Sequence, residues 1–148
     1  MKNSFRTVNL TLWINRLVIL TVVVLMFTLP TILQWYQQYR VLLKTEQTAL
    51  TAAFYCCSVV VLFALWQLDT LLRNIRAGEV FIRDNVRLIR RVQWCCAATA
   101  LICVPATVCY YPLVFMTVVM GFLSLVVCVV TQVMDAAVTI REENDLTI

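Results

Sequence analysis

The sequence is poor in charged residues and contains no histidine. Only 14% of its 148 residues are charged and 62% are hydrophobic, whereas a soluble domain carries about 25% charged residues. A water-soluble fold of this size could not hide so much apolar surface, because roughly half of a globular surface is polar. Without histidine the chain also lacks the commonest acid–base and metal-binding side chain. We therefore predict a non-enzymatic membrane protein with no catalytic, cofactor-binding or metal-binding residues.

Charges are missing altogether from three long stretches. These stretches hold 23, 22 and 43 residues, and they lie between Arg16 and Arg40, between Glu46 and Asp69, and between Arg91 and Asp135. A helix needs about 20 apolar residues to cross a bilayer, so the first two stretches fit one crossing each and the third fits two. In lipid a continuous apolar run is helical, because a helix satisfies its own backbone polar groups. The first run is longer than a signal-peptide core of about 7–15 residues, so we interpret it as a retained span.

The predicted fold is all-α and polytopic, a four-transmembrane-helix bundle in a single membrane domain covering residues 1–148. The expected segments are spans at about 12–33, 48–68, 94–110 and 113–134, a cytosolic helical hairpin at 69–93 and a cytosolic tail at 135–148.

The orientation follows from the basic residues. With both termini in the cytoplasm, only Arg40 and Lys44 lie outside. The other ten basic residues lie inside, at Lys2, Arg6, Arg16, Arg73, Arg76, Arg83, Arg87, Arg90, Arg91 and Arg141. This bias satisfies the positive-inside rule, which explains the net charge of +4 without direct nucleic-acid binding.

The segment between the second and third spans predicts a helical hairpin. Its first part has an apolar stripe at i, i+3, i+4 and i+7, formed by Leu68, Leu71, Leu72 and Ile75. Gly78 is expected to end this helix. A second helix is expected to begin near Asp84 and Asn85 and to continue into the third span.

Seven cysteines raise the alternative of a membrane redox component. They are Cys56, Cys57, Cys95, Cys96, Cys103, Cys109 and Cys128, and no Cys-X-X-Cys motif occurs among them. Buried cysteine behaves as a small hydrophobe, so packing is the favoured interpretation. A proton-coupled transporter would need an ionisable group near mid-bilayer; Asp69 and Asp135 are instead expected at the inner ends of the spans, where they reach water.

The cytosolic arginines and the acidic tail form the candidate functional surface. The arginine face could contact anionic lipid, the acidic tail of the same chain, or a protein partner. Docking of the tail on the hairpin would combine several ion pairs with burial of the last aliphatic side chains. The candidate residues for partner binding or tail docking are Arg83, Asn85, Arg87, Arg90, Glu142, Glu143, Asn144, Asp145, Leu146 and Ile148.

Two short motifs and the overall layout resemble a known family. The motifs are Gly78-Glu79-Val80-Phe81, followed by Asp84-Asn85-Val86-Arg87-Leu88-Ile89-Arg90, and the terminal Glu142-Glu143-Asn144-Asp145-Leu146-Thr147-Ile148. They resemble the domain of unknown function 2975 family, the YoaS-like small bacterial membrane proteins. The resemblance implies a bacterial inner-membrane location and no established activity. It also implies a partner, since such proteins are often encoded beside small helix-turn-helix regulators.

Two functions of different classes therefore remain. One is a membrane anchor or regulatory partner that binds a cytosolic protein such as a helix-turn-helix transcription regulator. The other is a membrane redox or transporter-subunit component. A homo-oligomer is also left open. Small residues at a spacing of four, such as Ala49 with Ala53 and Cys96 with Ala100, would let helices approach closely.

Overall fold

The computed structural model describes residues 2–37, 44–109, 111 and 113–145, and this part of the chain is helical apart from two short turns. The helices are α1 (Lys2–Gln37), α2 (Lys44–Arg76), α3 (Arg83–Cys109) and α4 (Leu113–Asp145). Each contains a segment long and apolar enough to cross a membrane. The predicted all-α class with four membrane-spanning helices is therefore confirmed.

The surface of these helices is apolar. None of the residues in the most apolar 18-residue window of α4 is buried, and large side chains such as Phe27, Val108 and Phe115 are exposed. In water such a surface would be unstable, because burial of apolar area is the main driving force of folding. The exposed apolar surface therefore suits a lipid environment.

Hydroxyl groups in the apolar segments hydrogen-bond within their own helix. The hydroxyls of Thr21, Ser58, Thr99 and Thr131 each donate to the carbonyl four residues earlier. This local bond satisfies a polar group that lipid could not satisfy.

Each helix packs against its neighbour in sequence. α1 contacts α2, α2 contacts α3 and α3 contacts α4, whereas α1 and α4 do not contact each other within the described residues. Hydrogen bonds cross these interfaces: for example, Tyr55 donates to the carbonyl of Met26 at 3.0 Å, and Ser124 donates to that of Gln93 at 3.3 Å. The predicted bundle is therefore open between α1 and α4, and all four helices line a cavity of about 470 Å³.

The helices extend past the predicted spans at one end. α2 continues to Arg76 and α3 begins at Arg83, close to the expected start near Asp84, and α4 continues without a break to Asp145. Residues 135–145, expected to form part of a tail, are thus the last turns of α4. Whether this end of the molecule faces the cytosol stays a prediction.

Candidate functional site

The turn between α2 and α3 is closed by backbone hydrogen bonds around a glycine. Gly78 has a φ of 86°, a conformation that side chains with a Cβ rarely adopt. Its amide donates to the carbonyl of Ile75, and the amide of Glu79 donates to that of Asn74. These bonds satisfy carbonyls that the end of a helix leaves without partners, so the chain can reverse within the six residues that separate Arg76 from Arg83.

Asn85 holds this turn from within. Its side-chain oxygen accepts a hydrogen bond from Asn74 at 2.8 Å, and its side-chain nitrogen donates to the carbonyls of Glu79 and Val80 at 2.7 and 2.9 Å. The residue is 0% exposed. Asn85 is one of the candidate residues for partner binding or tail docking, but it is buried, and its amide group makes these hydrogen bonds instead of facing the surface.

The start of α3 and the end of α4 are joined by ion pairs. Arg83 donates to both oxygens of Glu142, the shortest N–O distance being 2.6 Å. Arg90 lies 3.6 Å from Asp135, and Arg83 lies 3.9 Å from the same carboxylate. Arg83 and Arg90 are seven residues apart, as are Asp135 and Glu142. Residues seven apart share one helix face, so two basic residues meet two acidic residues across an antiparallel helix pair.

These ion pairs are exposed, so their contribution to stability is small. The side chains of Arg83 and Glu142 are 53% and 47% exposed, and water and salt screen the attraction between exposed charges. The hydrogen bonds from Arg83 lower the pKa of Glu142 below its ordinary value, so the carboxylate stays charged at neutral pH. Val86, Leu88 and Val138 are buried in these helix ends, and burial of apolar side chains stabilises a fold more than exposed charges do.

The structure places three further candidate residues on the same two helix ends. Arg87 pairs with Asp84 of its own helix at 3.3 Å, while Glu143 and Asn144 are exposed in the last turn of α4. Leu146 and Ile148 lie outside the described residues, as does the side chain of Asp145. The contact between Arg83 and Glu142 is present, and docking through the last aliphatic side chains stays a prediction.

A second polar cluster joins α1 to α2 at the same end of the molecule. Asp69 is only 5% exposed, with one oxygen 2.5 Å from Arg73 and the other 3.7 Å from Arg16. The expectation that Asp69 reaches water is therefore wrong, because both arginines and the packing of α1 cover the carboxylate. Its spacing of four residues from Arg73 was visible in the sequence, but the pairing with Arg16 was not.

Two cysteines meet between α2 and α3. The sulfur atoms of Cys57 and Cys103 are 3.6 Å apart, at the wall of the large cavity. Nothing in the sequence indicated this pair, since the two cysteines are 46 residues apart. Within the part of the chain that the structure describes, no group of three or more cysteine, aspartate or glutamate side chains is placed to hold a metal ion.

The comparisons with known proteins agree with the sequence resemblance. The comparison with curated proteins found no match, and the comparison with solved structures found none. The family described as "Protein of unknown function (DUF2975)" matches residues 16–148. This match covers α2, α3, α4 and the part of α1 from Arg16 onward, together with both motifs that suggested the resemblance, so the chain belongs to the DUF2975 family.

Proposed function

We propose that the protein is a non-enzymatic membrane anchor whose polar end binds a cytosolic protein. The binding surface consists of the start of α3 and the end of α4, and we name it the α3–α4 surface, defined by Arg83, Arg87, Arg90, Asp135 and Glu142. A small helix-turn-helix transcription regulator is the partner that family resemblance favours. In this proposal the protein holds the regulator at the bacterial inner membrane.

The observation that carries the proposal is the matched pairing of Arg83 with Glu142 and of Arg90 with Asp135. These contacts fix the positions of charges on two helices before any partner arrives. Preorganised groups lose less conformational entropy on binding than mobile ones. The surface therefore suits recognition of a folded partner with complementary charges.

Two further features support a protein rather than a nucleic acid as the partner. Phe81, in the turn beside Arg83, is 43% exposed, and aromatic and arginine side chains are enriched at protein interfaces. The carboxylates of Asp135 and Glu142 lie among the arginines and would repel phosphate groups.

Affinity purification of the full-length protein tests the proposal. The tagged protein, in detergent, is incubated with extract of the source bacterium, and retained proteins are quantified by mass spectrometry. We expect a regulator to be retained by the wild-type chain and lost on Arg83→Glu or on removal of residues 142–148. Arg40→Gln removes a charge from the predicted outer side and serves as the matched control.

The double variant Arg83→Glu with Glu142→Arg separates two roles of the ion pair. It restores the contact between the helices but inverts the charges that a partner meets. If the partner binds these charges directly, the double variant should not retain it. If the ion pair only positions the two helices, the double variant should retain the partner as the wild type does. Equal retention by wild type, Arg83→Glu and the truncated chain would contradict the proposal.

The contact between Cys57 and Cys103 favours a second function, that of a membrane redox component. A disulfide between them would require the sulfur atoms to approach from 3.6 Å to about 2.05 Å. Trapping thiols with a maleimide in living cells distinguishes the two functions. A redox component would show a Cys57–Cys103 disulfide that changes with growth conditions, whereas an anchor would show reduced cysteines throughout.

A further inference from the structure

A small polar cavity lies where the start of α1 meets the end of α2. It has a volume of about 200 Å³ and is lined by Asn9, Leu12, Trp13, Arg16 and Arg76. Its two arginines come from different helices, so only the folded protein brings them together. It is separate from the α3–α4 surface, since neither α3 nor α4 contributes to its wall.

The charges around this cavity do not cancel. Arg16, Arg73 and Arg76 supply three positive charges, and Asp69 supplies one negative charge through its pairs with Arg16 and Arg73. Two positive charges remain in excess. Arg76 forms no ion pair with any side chain that the structure describes, and the Arg16 side chain is 61% exposed although Asp69 lies 3.7 Å from its Nε. The cavity thus presents an accessible guanidinium group that a buried carboxylate keeps in place.

The surroundings of the cavity put this charge at the boundary of the apolar surface. The charge-free stretch of α1 begins directly after Arg16, and that of α2 ends directly before Asp69. Trp13 is 76% exposed, and tryptophan is enriched at membrane–water interfaces. An exposed apolar stripe at i, i+4, i+7 and i+11 continues from the cavity along α1 into its charge-free stretch, formed by Trp13, Leu17, Leu20 and Val24. A ligand with a charged head and an apolar tail would therefore contact the cavity with its head and the apolar stripe of α1 with its tail.

We propose that this cavity binds the phosphate group of an anionic phospholipid. Arg16 and Arg76 contact the phosphate oxygens, Asn9 adds an amide donor, and the acyl chains follow the exposed stripe of α1. Guanidinium groups match the geometry of phosphate oxygens, and basic pockets between helices bind anionic lipid head groups. A cation is favourable at the C-terminal end of a helix, which is sufficient to explain Arg76 at the end of α2. It does not explain why Arg16 of α1 lines the same cavity.

Quenching of tryptophan fluorescence by brominated lipid measures this binding directly. Trp35, Trp66 and Trp94 are exposed and are replaced by phenylalanine, which leaves Trp13 as the reporter inside the site. The protein is reconstituted in phosphatidylcholine vesicles with increasing amounts of brominated phosphatidylglycerol. Brominated phosphatidylcholine in the same vesicles gives the baseline.

We expect phosphatidylglycerol to bind at Trp13 with a clear preference over phosphatidylcholine. Arg76→Gln is expected to reduce that preference about five-fold, as the loss of one arginine near an anionic surface implies. Arg91→Gln removes the same charge from an exposed position that does not line the cavity, so the preference should persist.

Three results would overturn the proposal. The preference could be absent in the wild-type protein, or Arg76→Gln and Arg91→Gln could reduce it equally, which would indicate general attraction by positive charge. Displacement of brominated phosphatidylglycerol by inorganic phosphate at constant ionic strength would assign the site to a soluble phosphate instead of a lipid. Circular dichroism of each variant checks that its helix content equals that of the wild type.

Discussion

Asn85 connects both helices of the turn through one side chain. It accepts a hydrogen bond from Asn74 in α2 and donates two to carbonyls in the turn itself. A buried polar group without a partner costs about 1–3 kcal/mol, and Asn85, which is buried, is the partner of three polar groups at once. The position requires both an acceptor and two donors, a combination that asparagine supplies and aspartate does not.

Replacing Asn85 with alanine should lower the free energy of unfolding by about 2 kcal/mol, because the amide of Asn74 and two carbonyls lose their partner. Thermal unfolding in detergent, followed by circular dichroism, measures the change. Glu79→Gln alters an exposed side chain of the same turn and should change stability by less than about 0.5 kcal/mol. Equal effects of the two variants would show that the hydrogen bonds of Asn85 do not hold the turn.

The cysteines, in contrast to Asn85, are expected to tolerate replacement. We expect a chain with all seven replaced by alanine to insert and fold, because buried cysteine acts as a small hydrophobe. Cys95 and Cys103 are buried, so each should cost about 1 kcal/mol through the void left behind. Size-exclusion chromatography and thermal unfolding in detergent test the variant. Failure of Cys57→Ala or Cys103→Ala alone to fold would instead assign the pair an essential role.

At the scale of helices, the two glycines have different surroundings and predict opposite effects. Gly78 ends α2 with a positive φ, so Gly78→Ala should destabilise the protein by about 1 kcal/mol. Gly121 lies inside α4 with open space where a Cβ would be added, so Gly121→Ala should be neutral or stabilise by up to about 1 kcal/mol. Thermal unfolding of both variants under identical conditions tests the difference in sign, and destabilisation by Gly121→Ala would contradict it.

The sequence predicted the helices better than their contacts. Length, hydrophobicity and Gly78 are local signals, so the spans and the end of α2 near Gly78 were found. Contact between the acidic tail and the hairpin arginines was predicted because both segments were expected at the same membrane face, and Arg83 with Glu142 is one such contact. Asp135 could have been added from its spacing of seven residues to Glu142, which matches the spacing of Arg83 to Arg90.

The contacts inside the apolar part could not be predicted in the same way. A helix that is apolar on every side has no polar face to show which side packs against a neighbour. The pairing of Arg16 with Asp69 and the contact of Cys57 with Cys103 both depend on the rotation of such helices about their axes. Asp69 was expected to reach water because it lies at the inner end of a span, whereas the structure buries it.

At the scale of the whole molecule, the polar contacts gather at one end. The start of α1 and the end of α2 form the cavity with Arg16 and Arg76, and the start of α3 and the end of α4 form the α3–α4 surface. Asn74 joins the two halves through Asn85. Ten basic residues were expected on the inside. Eight of them have described side chains, and these lie on the four helix ends; the side chains of Lys2 and Arg6 are outside the described part of the structure.

The last prediction concerns which side of the membrane this polar end faces. Positive residues near the ends of spans are retained in the cytoplasm, and four crossings place both termini on one side. A fluorescent reporter fused after Ile148 should therefore be active, and alkaline phosphatase inserted near Thr45 should be active in the periplasm. A fluorescent reporter inserted between Gly78 and Glu79 serves as an internal control, because it must share the side of the C-terminus. Phosphatase activity after Ile148 together with cytoplasmic fluorescence near Thr45 would invert the topology, and the α3–α4 surface could then not bind a cytosolic partner.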